Sequence, residues 1–391
     1  MIKYKKYNPI LNKYLIILLL LITNMQTTSA FSLYFLCIFV FGLIAALIVV
    51  TNHTIKLNFL ISTIALILIL GILTKLHADR YVNYIGLNEI LYKKYILVIF
   101  WSLMSLLSIN IFIHTPNDII KNSLSIIILI MSFFVILQLF SYYILNITID
   151  FSLITGGIES RSYFGNYRPS GFLPEPAVYC GHMSGLLSLY LFYNKKIDKY
   201  FILGVLSIFI TQSTVGVILV SLIISIYLLS FKINKNKLFL ILAFLMIILL
   251  FIAPEIINRI NLFLQGTDTS NNLKVDAVIN FLKDDNIFIF GYGLISKDHI
   301  ELPTYYEAIK DLTIFGSALS IFGIFFGIII IILLLYILTV SHVELLYKII
   351  LFIPLLKLCS PSYAFFYIYI SLFFIILLDK RNKFTRLSKT L

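Results

Sequence analysis

Residues 310–338 read KDLTIFGSALSIFGIFFGIIIIILLLYIL, and after Asp311 nothing in them is charged. A helix rises about 1.5 Å per residue, so such a run can cross a hydrocarbon core roughly 30 Å thick. Runs of the same kind recur along the chain, at about 12–25, 31–50, 58–75, 95–113, 119–145, 176–193, 200–211, 213–231, 237–253, 310–338, 346–358 and 362–378. Strand-barrel spans would need apolar–polar alternation over about ten residues, and that pattern is absent. The expected fold class is an all-α polytopic membrane protein, a single membrane domain over residues 1–391 with about 12 transmembrane helices.

Composition agrees: 60% of the 391 residues are hydrophobic and 12% are charged, against about a quarter charged in soluble domains. The formal net charge of +12 would suit nucleic acid only if a soluble segment presented a basic face. The charges lie instead at the ends of apolar runs, so nucleic acid is excluded as a partner. Cys37, Cys180 and Cys359 fall in or beside apolar runs and form neither a disulfide framework nor a metal-binding spacing. They read as packing residues.

The N-terminal stretch imitates a secretory signal, with Lys3, Lys5, Lys6 and Lys13 ahead of Tyr14–Ile22 and the small residues Thr28-Ser29-Ala30 after it. Because many spans follow, it reads as a signal-anchor first helix. Orientation follows from the basic residues. Segments 1–13, 51–57, 194–199, 232–237 and 379–391 hold 16 of the 30 lysines and arginines against two acids, Asp198 and Asp379. The positive-inside rule then puts both termini in the cytoplasm. Residues 75–94, with Lys75, Arg80, Lys93 and Lys94, dissent. They suggest either an interfacial amphipathic helix or one more helix before residue 95. The apolar stretch 200–231 is long for one span and short for two, with Thr211-Gln212-Ser213-Thr214 at its middle, and a tight polar bend fits it.

Two connections exceed turns, residues 146–175 and 254–309, and both fall on the extracytoplasmic side. In the first, Pro176 suits the first position of a helix, which makes Glu175 its N-cap. Arg168 precedes it by seven residues, with Gly171 free to turn sharply between them. An arginine fork, a helix N-terminus and a carboxylate together suit a phosphorylated lipid, although Arg168 paired with Glu175 to close the loop is an equal reading. Gly181, Ser184, Gly185 and Ser188 form a small-residue face for helix packing, and His182 reads as a hydrogen-bonded packing residue. In the second loop, residues 274–283 read as an amphipathic helix with Val278, Phe281 and Leu282 on one side, and Asp284-Asp285-Asn286 turns the chain. Gly291-Tyr292-Gly293 is weak evidence for phosphate binding. Asp311 stands at the outer end of its span, and Arg259, Lys274 and His299 are candidate ligand contacts.

The segment Arg168-Pro-Ser-Gly171-Phe-Leu-Pro174-Glu175-Pro176-Ala resembles the Arg-x-x-Gly-Phe-x-x-Glu-Pro-Ser signature of Wzy-type O-antigen and capsule repeat-unit polymerases. The hydropathy plan, Thr211-Gln-Ser213 in a bent span, Phe290-Gly291-Tyr-Gly293 and Asp311 ahead of Gly323 are in keeping, over about residues 146–330. The resemblance implies a glycosyltransferase of the bacterial inner membrane working on its outer face in capsule or lipopolysaccharide synthesis. It would move a growing glycan from undecaprenyl pyrophosphate onto another lipid-linked repeat unit, with a chain-length regulator as a candidate protein partner. Lipid A-core ligases share the scaffold and usually carry histidine near the position of Asp311, so aspartate favours the polymerase. The family's second arginine, before the large-loop helix, is here near Lys274.

The chemistry expected is that Arg168, Arg161, Arg259 and Lys274 meet the pyrophosphate while Glu175 or Asp311 takes the proton of the acceptor hydroxyl. No cofactor is expected. No Asp-x-Asp pair stands beside an outer helix end, so catalysis without a bound divalent metal is expected. The ligase and a flippase or transporter of lipid-linked oligosaccharide are the alternatives. A transporter should concentrate charge inside the bundle, and the span centres here are almost free of it.

Overall fold

The computed structural model describes residues 9–25, 30–51, 57–84, 86–151, 162–163, 166–229, 261–295 and 302–378, with isolated positions from 239 to 258. The chain there is almost wholly helical. Helices α1 (Pro9–Thr23), α2 (Ala30–Thr51), α3 (Leu57–Arg80), α4 (Leu87–Phe112) and α5 (Asn117–Leu145) come first. Two paired two-residue strands follow, β1 (Ser162–Tyr163) and β2 (Asn166–Tyr167). Then come α6 (Pro176–Asn194), α7 (Lys199–Ile210), α8 (Thr214–Leu229), α9 (Thr269–Lys283) and α10 (Asp285–Phe290). A 3-10 turn (Thr304–Asp311), α11 (Ile314–Val340), α12 (Leu345–Phe352), a second 3-10 turn (Ile353–Leu356) and α13 (Ala364–Leu378) complete the order.

Each apolar run named from sequence coincides with one of these helices, except 346–358, which is split between α12 and the second 3-10 turn, and 237–253, which lies almost wholly outside the described residues. Helices α3, α4, α5 and α11 are long and apolar enough to cross a membrane, and the other apolar helices are shorter. On α11 a row of apolar side chains, among them Phe325, Ile329, Ile332 and Leu333, is exposed. Water would oppose so large a contiguous apolar face, and lipid would not.

The dissenting segment 75–94 holds no separate helix among the described residues. The ends of α3 and α4 simply run past their apolar stretches to meet in a short turn, with Gly86 at φ 81°. Arg80 there donates to the carbonyls of Gly291 and Asn286, the latter at 2.7 Å, so its charge fastens the large loop to the end of α3.

Helix α6 is the hub, because its residues are buried on every face from Val178 to Phe192. Its glycines allow that. A methyl on Gly185 would stand 3.2–3.3 Å from Leu358, Tyr369 and Phe365, and one on Gly181 would stand 3.2 Å from Lys357 Cγ. On another side Gly216 of α8 leaves the space that the Cys180 thiol fills. All three cysteines are buried and free, in keeping with packing roles. Residues 199–229 fold as two helices, with Gln212 at φ 53° between them, as the polar bend suggested.

A second apolar core, separate from the bundle core, gathers Tyr81, Tyr95, Phe281, Tyr292, Tyr306 and Ile321. It packs α9, α10 and the first 3-10 turn onto the ends of α3, α4 and α11. Helix α9 faces it with Ala277 and Phe281, while Val278 and Leu282 are exposed, which corrects the face expected from sequence. Asp284 caps α10 through bonds from Asn286 and Ile287 N–H, so the apolar run 287–290 is helical. The Gly-x-Gly has a structural role. Helix α11 breaks at Gly323 (φ 73°, ψ 176°), and the 290–293 backbone crosses the break. The carbonyls of Ser320 and Ile321, released by it, accept the N–H groups of Tyr292 (2.7 Å) and Gly293 (2.9 Å). Gly291 and Gly323 both have positive φ, and a Cβ on either would overlap the backbone of the other segment.

Candidate functional site

The first loop is fastened to α5 by Gln138, whose Oε1 accepts from Ser170 N (3.1 Å) and Gly171 N (2.8 Å). Gly171 supplies the turn at φ 61°, and Tyr167 stacks on Tyr142 with ring centroids 4.4 Å apart. This geometry aims Arg168 at the break between α7 and α8. Its Nε donates to the Thr211 carbonyl (3.3 Å) and its Nη2 to that of Gln212 (2.9 Å). The carbonyls at and just past the C-cap of α7, where the helix leaves backbone groups without intrahelical partners, thereby gain a charged donor.

Glu175 is the N-cap residue of α6 in extended conformation, with Pro176 at the first helical position, as expected. Its carboxylate makes no capping bond. It lines a cavity of about 560 Å³ together with Lys274, Glu307, Lys310, Asp311 and Tyr363. The structure thus brings Glu175, Asp311 and Lys274 together across residues far apart in sequence, and does not count Arg168 among the lining. Arg161, Arg259 and His299 lie outside the described residues.

Asp311 ends the first 3-10 turn and holds two ammonium groups, Lys274 at 2.7 Å on Oδ2 and Lys357 on Oδ1. Burial pushes the Asp311 carboxyl up, but the charges of Lys357 and then Lys274 outweigh it, and the group sits below its ordinary value. Lys357 was not among the sequence candidates. Its signal was faint but present, as a lone lysine at the C-terminal end of a short apolar run, just before Cys359-Ser-Pro-Ser362. Its side chain is only 10% exposed.

A smaller cavity of about 170 Å³ adjoins, lined by apolar side chains such as Leu36, Leu97 and Trp101, with Lys94 and His182. Lys310, Ser362 and Tyr363 line both cavities, so the two share a wall. His182 bonds through Nδ1 to Asn24 Oδ1 at 3.1 Å and packs on Phe365 and Tyr363, the packing role foreseen for it. Asn24 donates its own amide to the Leu20 carbonyl (2.8 Å), which turns its oxygen toward the imidazole. His182 Nε2 is buried with no partner among the described residues.

Set against known proteins, the chain matches no family model, no characterised protein and no solved structure.

Proposed function

We propose that this chain is a bacterial inner-membrane glycosyltransferase that polymerises lipid-linked oligosaccharide repeat units. In this reading the short apolar helices cross the membrane with the long ones, about a dozen spans in all. Both termini are cytoplasmic and the cavities open on the outer face. The observation that carries the reading is the shared wall at Lys310: a polar cavity with carboxylates and ammonium groups on one side, an apolar one on the other. A lipid-linked sugar has that polarity pattern, with its pyrophosphate at the junction. The sequence resemblance to repeat-unit polymerases supports it independently.

In the proposed step, the acceptor hydroxyl oxygen of one repeat unit attacks the anomeric carbon of the growing chain. The bond from that carbon to the pyrophosphate oxygen breaks, and undecaprenyl pyrophosphate leaves with the bonding electrons. Glu175 takes the hydroxyl proton. Lys274 and Lys310 meet the charge that develops on the leaving group, a placement worth most in a site shielded from water.

The test is reconstitution of the full chain in liposomes with a synthetic lipid-linked repeat unit. A ladder of longer glycans is expected from the wild type. New glycosidic bonds formed only on a lipid A-core acceptor would select the ligase, and leaflet transfer without bond formation would select the flippase.

A further inference from the structure

Among the described residues, the wall of the larger cavity carries Glu175, Glu307 and Asp311 beside Lys274 and Lys310. A carboxylate at such a wall opposes an anion unless a cation engages it. Lys357 engages Asp311 from behind the lining. Its stem packs against Gly181 of α6, where only a glycine leaves ordinary room, and its ammonium reaches Asp311 Oδ1. The other oxygen holds Lys274, which comes from α9 and does line the cavity.

We propose that Lys357 is a positioning residue that neutralises and pins Asp311, so that Asp311 holds Lys274 as the anion-facing cation and leaves proton acceptance to Glu175. The inference rests on the glycosyl-transfer reading for its substrate, and its core is the anion subsite. Three observations carry it. Each Asp311 oxygen is engaged by its own ammonium, which suits a clamp more than a base. The two lysines arrive from different elements, one from the buried seam between α6 and the second 3-10 turn and one from the large loop. The depressed Asp311 carboxyl agrees with this, since two ammonium groups that favour its ionised form make it a weaker proton acceptor.

The experiment compares wild type, Lys357→Met, Lys357→Arg and Lys274→Met as full-length protein in liposomes. Methionine removes a buried cation together with its desolvation cost and leaves Asp311 with Lys274 and some solvent, so the variant is expected to fold. The first readout is binding of inorganic pyrophosphate. Lys357→Met and Lys274→Met are each expected to weaken it about tenfold, and Lys357→Arg to restore most of it. The second is an infrared pH titration of the Asp311 carboxyl, isolated by difference from Asp311→Asn. Its midpoint is expected to rise by roughly one pH unit or more in Lys357→Met and to stay put in Lys357→Arg.

Wild-type pyrophosphate binding in Lys357→Met, no pyrophosphate binding by the wild type, or an unmoved midpoint would each overturn the assignment. Failure of the wild type to make polymer would overturn the glycosyl-transfer reading alone, because neither readout depends on it.

Discussion

Two cations stand near the N-terminal half of the central helix α6, and they meet opposite kinds of partner. Arg168 comes from the first loop and donates to the carbonyls of Thr211 and Gln212, at the break between two helices. Lys357 comes from the end of a helical stretch and meets the Asp311 carboxylate beside a cavity. Main-chain carbonyls are neutral acceptors, so the Arg168 contact fastens backbone. A carboxylate is a charge, so the Lys357 contact sets the field in the adjoining space. The residue type alone does not tell a bolt from an electrostatic support; the partner does.

The largest expected effect sharpens the cavity side of the contrast. Glu175→Gln should lower polymer formation by about 10²- to 10⁴-fold, the usual contribution of a positioned base, with near-normal protein levels because glutamine keeps the size and shape of the side chain. The measurement is glycan ladder length per unit of protein, and wild-type ladders would take proton transfer away from Glu175.

Arg168→Ala should act first through stability. Two carbonyls at a partly buried helix break lose charged donors, a cost of about 2–3 kcal/mol, read as a lower midpoint of thermal unfolding in detergent. The comparison breaks if this variant unfolds like the wild type yet makes no polymer, because Arg168 would then belong to the substrate site.

Asp311→Asn should cost somewhat less, about 2 kcal/mol. Removing one partner from a fully buried pair costs more, but Asp311 is 38% exposed and solvent screens the loss. The pH dependence has a definite sign. Because the folded Asp311 pKa is depressed, its stabilisation is fully present above the ordinary carboxylate range and fades as pH falls through the lowered value. The wild type's margin over Asp311→Asn should therefore be flat through neutral pH and shrink only in stronger acid, below about pH 4. A margin that shrinks between pH 7 and 5 would contradict the two-ammonium geometry.

Much of the helical plan was legible because apolar run length is a local property: the bend at Gln212, the N-cap at Glu175 and the small-residue face of α6 all followed from residues near each other in sequence. The meeting of Glu175, Lys274 and Asp311 was legible only as a set of candidate charges. Their shared cavity depends on α9 docking through Ala277 and Phe281, and that choice of face depends on a second core assembled from α3, α4 and α11. The crossing of the Gly291 and Gly323 backbones was illegible for the same reason, since each glycine explains the other only once they touch. Lys357 was missed because one lysine at a span end resembles an ordinary interfacial charge until its carboxylate is found.

The smallest effect tests how tightly Lys357 is held. A methyl at Gly181 would stand 3.2 Å from Lys357 Cγ and 3.5 Å from the Leu358 backbone nitrogen. The nearest atom belongs to a flexible stem that can shift by a few tenths of an ångström, and alanine favours a helix interior by about 1 kcal/mol over glycine. Gly181→Ala should therefore change stability by less than about 1 kcal/mol in either direction. Gly216→Ala is its control, because there the added carbon falls 2.3 Å from the Cys180 sulfur in a packed seam, and overpacking of that kind costs about 1–3 kcal/mol. Equal losses in the two variants would show that the Lys357 stem is as rigid as the packed core. Asp311 would then be held by a cation with no freedom to follow it, and pyrophosphate binding should fall in Gly181→Ala as well.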